Sequence, residues 1–147
     1  VYGFTAMLWK LIAELNNGGK GGAEAPTHLA VVLDAGSHTF RNDMYDGYKA
    51  NRPPAPEDLI PQFPLIRDAV RAFSVPCFEQ AGVEADDIIA SYAVAARAAG
   101  MNVTIVSSDK DLMQLVAPGI NLLDTMKNQV IDRAEVIEKF GVPPEQV

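Results

Sequence analysis

The chain predicts an α/β fold, a mainly parallel sheet flanked by helices, and three observations carry that prediction. Short apolar runs rich in Val and Ile, such as LAVVLD and VTIV, recur along the sequence. Each leads through a polar junction into helix-periodic sequence, the order of βα units. The junctions also carry acids: Asp34 after the first run, Glu84, Asp86 and Asp87 after VPCF, and Asp109 and Asp111 after VTIVSS. The strand C-termini of a parallel sheet share one edge, and ligands bind just outside it.

The elements follow in order. Residues 2–15 place Phe4, Leu8, Leu11, Ile12 and Leu15 at helical spacing. Residues 16–26 carry Gly18, Gly19, Gly21 and Gly22 and read as a flexible exposed loop; they lack the Lys-Ser/Thr ending of a phosphate-binding P-loop. A first strand is expected over residues 28–33, then a polar, Pro-rich stretch over 35–56, the least core-like part of the chain. Residues 58–73 read as a helix whose first turn is disturbed by Pro61 and Pro64. Residues 75–78 suit a short strand, and residues 85–99 a strong helix stopped by Gly100. A buried strand (103–106), a short helix (110–116), two short strands (120–123 and 129–131) and a helix (133–140) closed by Gly141 complete the pattern. Helical sequence at residue 2 without a cap, and a first-turn signature at Pro144-Glu145, read as a piece of a longer protein.

At 147 residues, 48% hydrophobic and 21% charged, the chain has the size and composition of one globular domain. A single Cys77 excludes an internal disulfide and reads as a small buried hydrophobe in a reducing compartment. No run is apolar enough to span a membrane, and no basic-then-apolar leader opens the chain, so a cytoplasmic protein without a membrane partner is expected. The net charge of −7 argues against a nucleic-acid partner only weakly, because part of the excess is the acid set itself.

Six carboxylates on one sheet edge would repel one another unless cations lay between them. Sites built only from oxygen suit Mg²⁺ or Mn²⁺, and paired ions of this kind serve phosphoryl transfer. The residues therefore point to a metal-dependent phosphodiesterase. Each acid also has a plain structural account. Glu84, Asp86 and Asp87 suit a helix N-terminus, Ser108 with Asp111 has capping-box spacing, and Asp34 before Ala-Gly suits a turn. It is the recurrence at corresponding junctions that favours ligands. Helical geometry puts Glu84 and Asp87 on one face and Asp86 on another, so all three reach one site only if Glu84 precedes the first regular turn.

A second constellation lies in the Pro-rich stretch. Arg41, Tyr45, Tyr48, Lys49 and Arg52 fall on a single helical stripe. Rings interleaved with cations suit single-stranded nucleic acid, although Asp43 and Asp46 dilute the charge. Lys110 reads as a solvated lysine, and His28 and His38 as structural residues, too isolated for a zinc site. No Ser-His-Asp or Cys-His arrangement can be assembled, which disfavours covalent catalysis.

The words LDAGSHTFRNDMYDGYKANRPPAPEDL, GVEADDIIASYA, VSSDKDLMQLV and KFGVPPEQV resemble the 5′-nuclease domain at the N-terminus of bacterial DNA polymerase I. That domain belongs to the flap endonuclease family and has a PIN-like, Rossmannoid fold. The resemblance spans residues 1–147 and implies a DNA 5′-3′ exonuclease and 5′-flap endonuclease of replication and repair. It implies two Mg²⁺ ions, with Mn²⁺ as substitute, held by Asp34, Glu84, Asp86, Asp87, Asp109 and Asp111. Tyr48, Lys49 and Arg52 match a helical arch, inserted at about residues 37–56, that handles the 5′ strand, and Arg41 matches a position near the scissile phosphate. Such an arch would be mobile without DNA. Two departures stand out. Gly36-Ser37-His38 replaces a lysine-rich word, and the family's remaining metal-binding aspartates lie upstream of residue 1 and, in a helix-hairpin-helix segment, downstream of Val147. Residues 1–147 alone are thus expected to be a partial catalytic domain and a poor nuclease, followed by further domains. A PIN-type ribonuclease would share the acids but lack the arch, and a DNA-binding module without catalysis would share the surface. A phosphoacceptor receiver domain would order its acids differently along the chain.

Overall fold

The leading amphipathic stretch forms α1 (Tyr2–Asn16), which buries Leu8 and Leu11, three apart on one face. The structure is a computed structural model describing residues 1–17 and 25–147; most of the glycine-rich segment anticipated as a loop lies outside the described residues. The chain divides into two units, residues 1–82 and 83–147.

In the first unit α1 packs against α3 (Gln62–Ala72), whose Val70 is fully buried. Helix α3 starts later than the periodicity of residues 58–73 suggests. Pro61 occupies the N-cap, Pro64 sits in the first turn where an amide hydrogen has no intrahelical use, and residues 57–60 form turns instead. Strand β1 (Val31–Val32) pairs in parallel with β2 (Cys77–Phe78), Val31 opposite Cys77. Both strands are shorter than anticipated. The ladder is bounded by the Val31 amide on the Pro76 carbonyl (2.8 Å) and the Leu33 amide on the Phe78 carbonyl (2.9 Å), and Pro76 has no amide hydrogen to extend it. Helix α2 (Phe40–Met44) follows β1 in sequence.

The second unit opens with α4 (Ala85–Ala98). Gly100, at φ +83°, ends it as anticipated. The Gly100 amide donates to the Arg97 carbonyl and the Met101 amide to the Ala96 carbonyl, both at 3.0 Å, the paired bonds of a Schellman stop. Strand β3 (Val103–Val106) runs parallel to β4 (Ile120–Asp124), and β5 (Gln129–Ile131) runs antiparallel on the far side of β4. Leu122, on the central strand, is fully buried among Ile105, Leu112, Met113, Ile131 and Val136. The β4–β5 hairpin is closed by the buried Asp124, whose Oδ1 accepts the Met126 and Lys127 amides at 2.9 and 3.2 Å. A mixed α/β fold with parallel strand pairing is therefore present, as the sequence predicts.

The last helix, α5 (Arg133–Phe140), begins with a capping box. Asp132 Oδ1 accepts the Ala134 amide at 2.7 Å, and Glu135 Oε2 accepts the Asp132 amide at 3.1 Å. The hydrogen bond with Glu135, then that from Ala134, holds the Asp132 carboxyl below its ordinary range. Gly141, at φ +72°, closes the helix. Beyond it, Glu145 in a 3₁₀ turn (Pro144–Gln146) meets Arg133 in a two-pronged pair, both bonds at 2.8 Å. The Arg133 hydrogen bonds lower the Glu145 pKa from 4.5 to about 2. A depressed carboxylate pKa contributes stability that is whole above the ordinary value and lost as pH falls through the folded one. An acid titration should show this loss between pH 4.5 and about 2. Glu145→Gln should flatten that interval, and salt should shrink the effect because the pair is exposed. An identical acid profile in the variant would refute the assignment.

Candidate functional site

Asp34 stands two residues past β1 and is exposed, placed by the Leu33 amide bond that ends the β1–β2 ladder. In the second unit, Glu84 is the N-cap of α4, with extended backbone (φ −78°, ψ 152°), and Asp86 and Asp87 fill the first turn. Glu84 therefore precedes the first regular turn, the condition set by helical geometry for all three acids to reach one site. Its carbonyl accepts the Asp87 and Ile88 amides at 3.1 and 3.3 Å, fixing the segment at the positive end of the helix dipole, where carboxylates are favoured. All three residues are half-buried.

Asp109 and Asp111 follow β3, at the entrance of a 3₁₀ helix (Lys110–Leu115) pinned by the buried Leu112 and Met113. The Ser108–Asp111 capping box anticipated from spacing is not what starts this turn. Asp109 is the N-cap: its Oδ1 accepts the Asp111 amide at 2.9 Å, while its own amide donates to Ser107 Oγ at 3.0 Å. The Ser107 amide donates to the Leu123 carbonyl at 3.1 Å, so the acids are indexed directly to the β3–β4 ladder. Both carboxylates are exposed, as is Lys110 between them. The donors are all hard oxygens, the chemistry that Mg²⁺ and Mn²⁺ take. Among the described residues, however, no group of three or more His, Cys, Asp or Glu side chains is gathered to hold a metal ion.

The single helical stripe expected for Arg41, Tyr45, Tyr48, Lys49 and Arg52 is not formed. Helix α2 stops at Met44, Tyr45 is extended (φ −151°, ψ 107°), and residues 46–50 are turns. Lys49 is left-handed at φ +54°, and Arg52 precedes Pro53, which disfavours helical backbone. A Cβ on Gly47 would lie 2.6 Å from the Tyr45 ring, so the turn folds the ring tightly over a glycine. The Arg41 guanidinium lies 4.7 Å from the centre of the Phe40 ring, and the Lys49 ammonium 4.9 Å from that of Tyr48.

Other residues singled out from sequence fall elsewhere. His38 Nε2 is 3.3 Å from Asp43 Oδ1, and His28 Nδ1 meets the Thr27 hydroxyl at 2.9 Å; both histidines are exposed. Cys77 is half-buried, and burial is the first cause raising its thiol pKa. Sequence reasoning missed Thr39 and Asn42, which cap α2, and Asp132, which caps α5. Their T-x-x-N and D-x-x-E spacings were the available signals.

A model of the 5′-3′ exonuclease N-terminal resolvase-like domain matches residues 1–141. The chain is 58% identical over its whole length to a DNA polymerase I of Rhizobium leguminosarum, covering 14% of that protein. It is 39% identical, again over its whole length, to a 5′-3′ exonuclease of Aquifex aeolicus, covering 48% of it. The chain thus spans less than half the length of these relatives. Its fold is similar to that of the bacteriophage T5 flap endonuclease crystallised with DNA and metal ions, with a TM-score of 0.70 and 23% identity over 97% of this chain and 55% of that one. The chain belongs to the 5′-3′ exonuclease family, as its N-terminal resolvase-like domain.

Proposed function

We propose that this chain forms the catalytic part of a divalent-metal-dependent 5′-3′ exodeoxyribonuclease and 5′-flap endonuclease acting in DNA replication and repair. The single observation that carries the reading is 39% identity with a 5′-3′ exonuclease along the whole of this chain, which covers 48% of that relative. Asp34, Glu84, Asp86, Asp87, Asp109 and Asp111 would hold two Mg²⁺ ions, for which Mn²⁺ could substitute. When bound, such ions stabilise charge on phosphate oxygens and acidify water, so hydrolysis needs no side-chain nucleophile. The chain's own part is placement. The α4 cap and the Asp109 turn deliver five carboxylates from backbone that hydrogen bonds fix in advance. Arg41, Tyr48, Lys49 and Arg52 would bind the DNA, through phosphates and a stacked base of the 5′ single strand.

One observation favours a second reading, a structure-specific DNA-binding module without catalysis: no three acids are gathered among the described residues. Calorimetric titration with Mg²⁺ and Mn²⁺ in a chain extended to the length of its exonuclease relatives separates the two. Two bound ions together with cleavage of a 5′-flap duplex support the nuclease. DNA binding with one ion or none supports the module.

The DNA-binding assignment has its own test. The double variant Tyr48→Ala, Lys49→Ala should weaken binding of a 5′ single-stranded flap roughly tenfold, the loss of one stacked base and one phosphate contact. Affinity for blunt duplex should stay within about twofold. Equal losses on both substrates would instead identify an unspecific phosphate patch.

A further inference from the structure

Asn42 sits next to Arg41, and both ends of its side-chain amide are hydrogen-bonded. Its Oδ1 accepts the Thr39 amide at 2.9 Å and lies 3.4 Å from the Thr39 hydroxyl. Its Nδ2 reaches out of the helix and donates to the Tyr48 carbonyl at 3.2 Å. One amide therefore joins the backbone of Thr39 to that of Tyr48, six residues beyond Asn42 itself. The first piece is anchored: Thr39 is buried, and the Phe40 amide donates to the Gly82 carbonyl at 2.9 Å. The second is the turn that carries Tyr48 and the left-handed Lys49.

We infer that Asn42 is a positioning residue for DNA, tethering the Tyr48–Lys49 turn to the anchored start of α2 so that ring and ammonium are presented together to a 5′ single strand. A left-handed lysine lies in backbone that a side-chain-bearing residue rarely adopts without outside support. Within the turn, the Tyr48 amide on the Tyr45 carbonyl (2.9 Å) and the Ala50 amide on the Gly47 carbonyl (3.3 Å) are local bonds. The Asn42–Tyr48 bond ties the turn to backbone outside itself. Asparagine suits the position because it offers an acceptor on one side and a donor on the other. Aspartate would keep the cap and turn a second oxygen toward the Tyr48 carbonyl. The inference rests on the reading of Tyr48 and Lys49 as DNA contacts.

Asn42→Asp is thus the informative variant, because capping is retained while the tether is lost, and Asn42→Ala, which adds no charge, separates loss of the tether from repulsion of phosphate. In the intact chain, amide exchange of residues 48–52 should quicken about three- to tenfold, as loss of one hydrogen bond implies, with the thermal midpoint unchanged. Binding of a fluorescent 5′-flap DNA should weaken by a similar factor, while blunt-duplex affinity holds. Asn42→Ala, which loses cap and tether together, should give the same change in flap binding with a lowered midpoint. Unchanged exchange in Asn42→Asp would overturn the tether. Faster exchange with unchanged flap affinity would overturn the positioning role, and the Tyr48, Lys49 double variant measured alongside identifies the fault. If that double variant loses flap binding, the DNA-contact reading stands and Asn42 alone is dismissed. If it does not, both fall.

Discussion

Asp111→Asn is expected to lower Mg²⁺-dependent cleavage of a 5′-flap duplex by at least about 10²-fold while leaving binding of the same DNA within about twofold. The large effect comes from charge, because the substitution is nearly isosteric. A neutral amide presents one oxygen without negative charge to a hard cation, and an attacking water tolerates little misplacement. The small structural effect follows from local geometry. The bond that starts the 3₁₀ turn runs from the Asp111 amide to Asp109 Oδ1 and does not use the Asp111 carboxylate. The side chain is exposed, so stability should change by less than roughly 0.5 kcal/mol. Asp109 is a sharper comparison, since it has a second duty as N-cap. Asp109→Asn keeps a capping oxygen and should lose activity alone, whereas Asp109→Ala should lose activity and about 1 kcal/mol of stability. The assay belongs in a chain extended to the length of its exonuclease relatives, with single-turnover rates compared at saturating DNA. Wild-type turnover in Asp111→Asn would remove Asp111 from the proposed metal site.

The residues whose local chemistry admits one answer were read correctly from sequence. Gly100 and Gly141 both stop helices in left-handed backbone, as their place after periodic runs implies. The run Val103–Val106 is apolar, bounded by polar residues and folds as a strand. Errors arose where neighbours decide. The strands at residues 28–33 and 75–78 contracted to two residues each, because ladder length depends on the partner, and the partner includes Pro76. The basic-aromatic stripe has perfect helical spacing, yet spacing cannot register that Gly47 folds under the Tyr45 ring or that Lys49 turns left-handed. At the 3₁₀ turn, Ser108 and Asp109 are both good caps, and only the fold chose Asp109. The candidate acids were visible because three junctions repeat one chemistry. Their mutual distances belong to tertiary structure, which no spacing rule reaches.

Leu122→Ala should destabilise the second unit by about 2–5 kcal/mol, through lost burial and the cavity left behind. Leu122 is fully buried on the central strand, opposite Ile105 of β3 and Ile131 of β5, so no flexible surface lies beside it to collapse into the gap. A unit of this size holds roughly 3–10 kcal/mol in all, so this one truncation consumes a large share of it. The consequence reaches the proposed site, because Ser107, Asp109 and Asp111 are indexed to the β3–β4 ladder through the Leu123 carbonyl. Urea melts should show a lower midpoint with an unchanged slope, the sign of altered stability without an altered unfolded state. Leu122→Met nearly conserves volume and should stay within about 1.5 kcal/mol of the parent. Below the new midpoint, the alanine variant should also exchange the β3 and β4 amides faster, since opening of the sheet becomes more frequent. A midpoint unchanged in Leu122→Ala would mean that the core of this unit is not organised around β4.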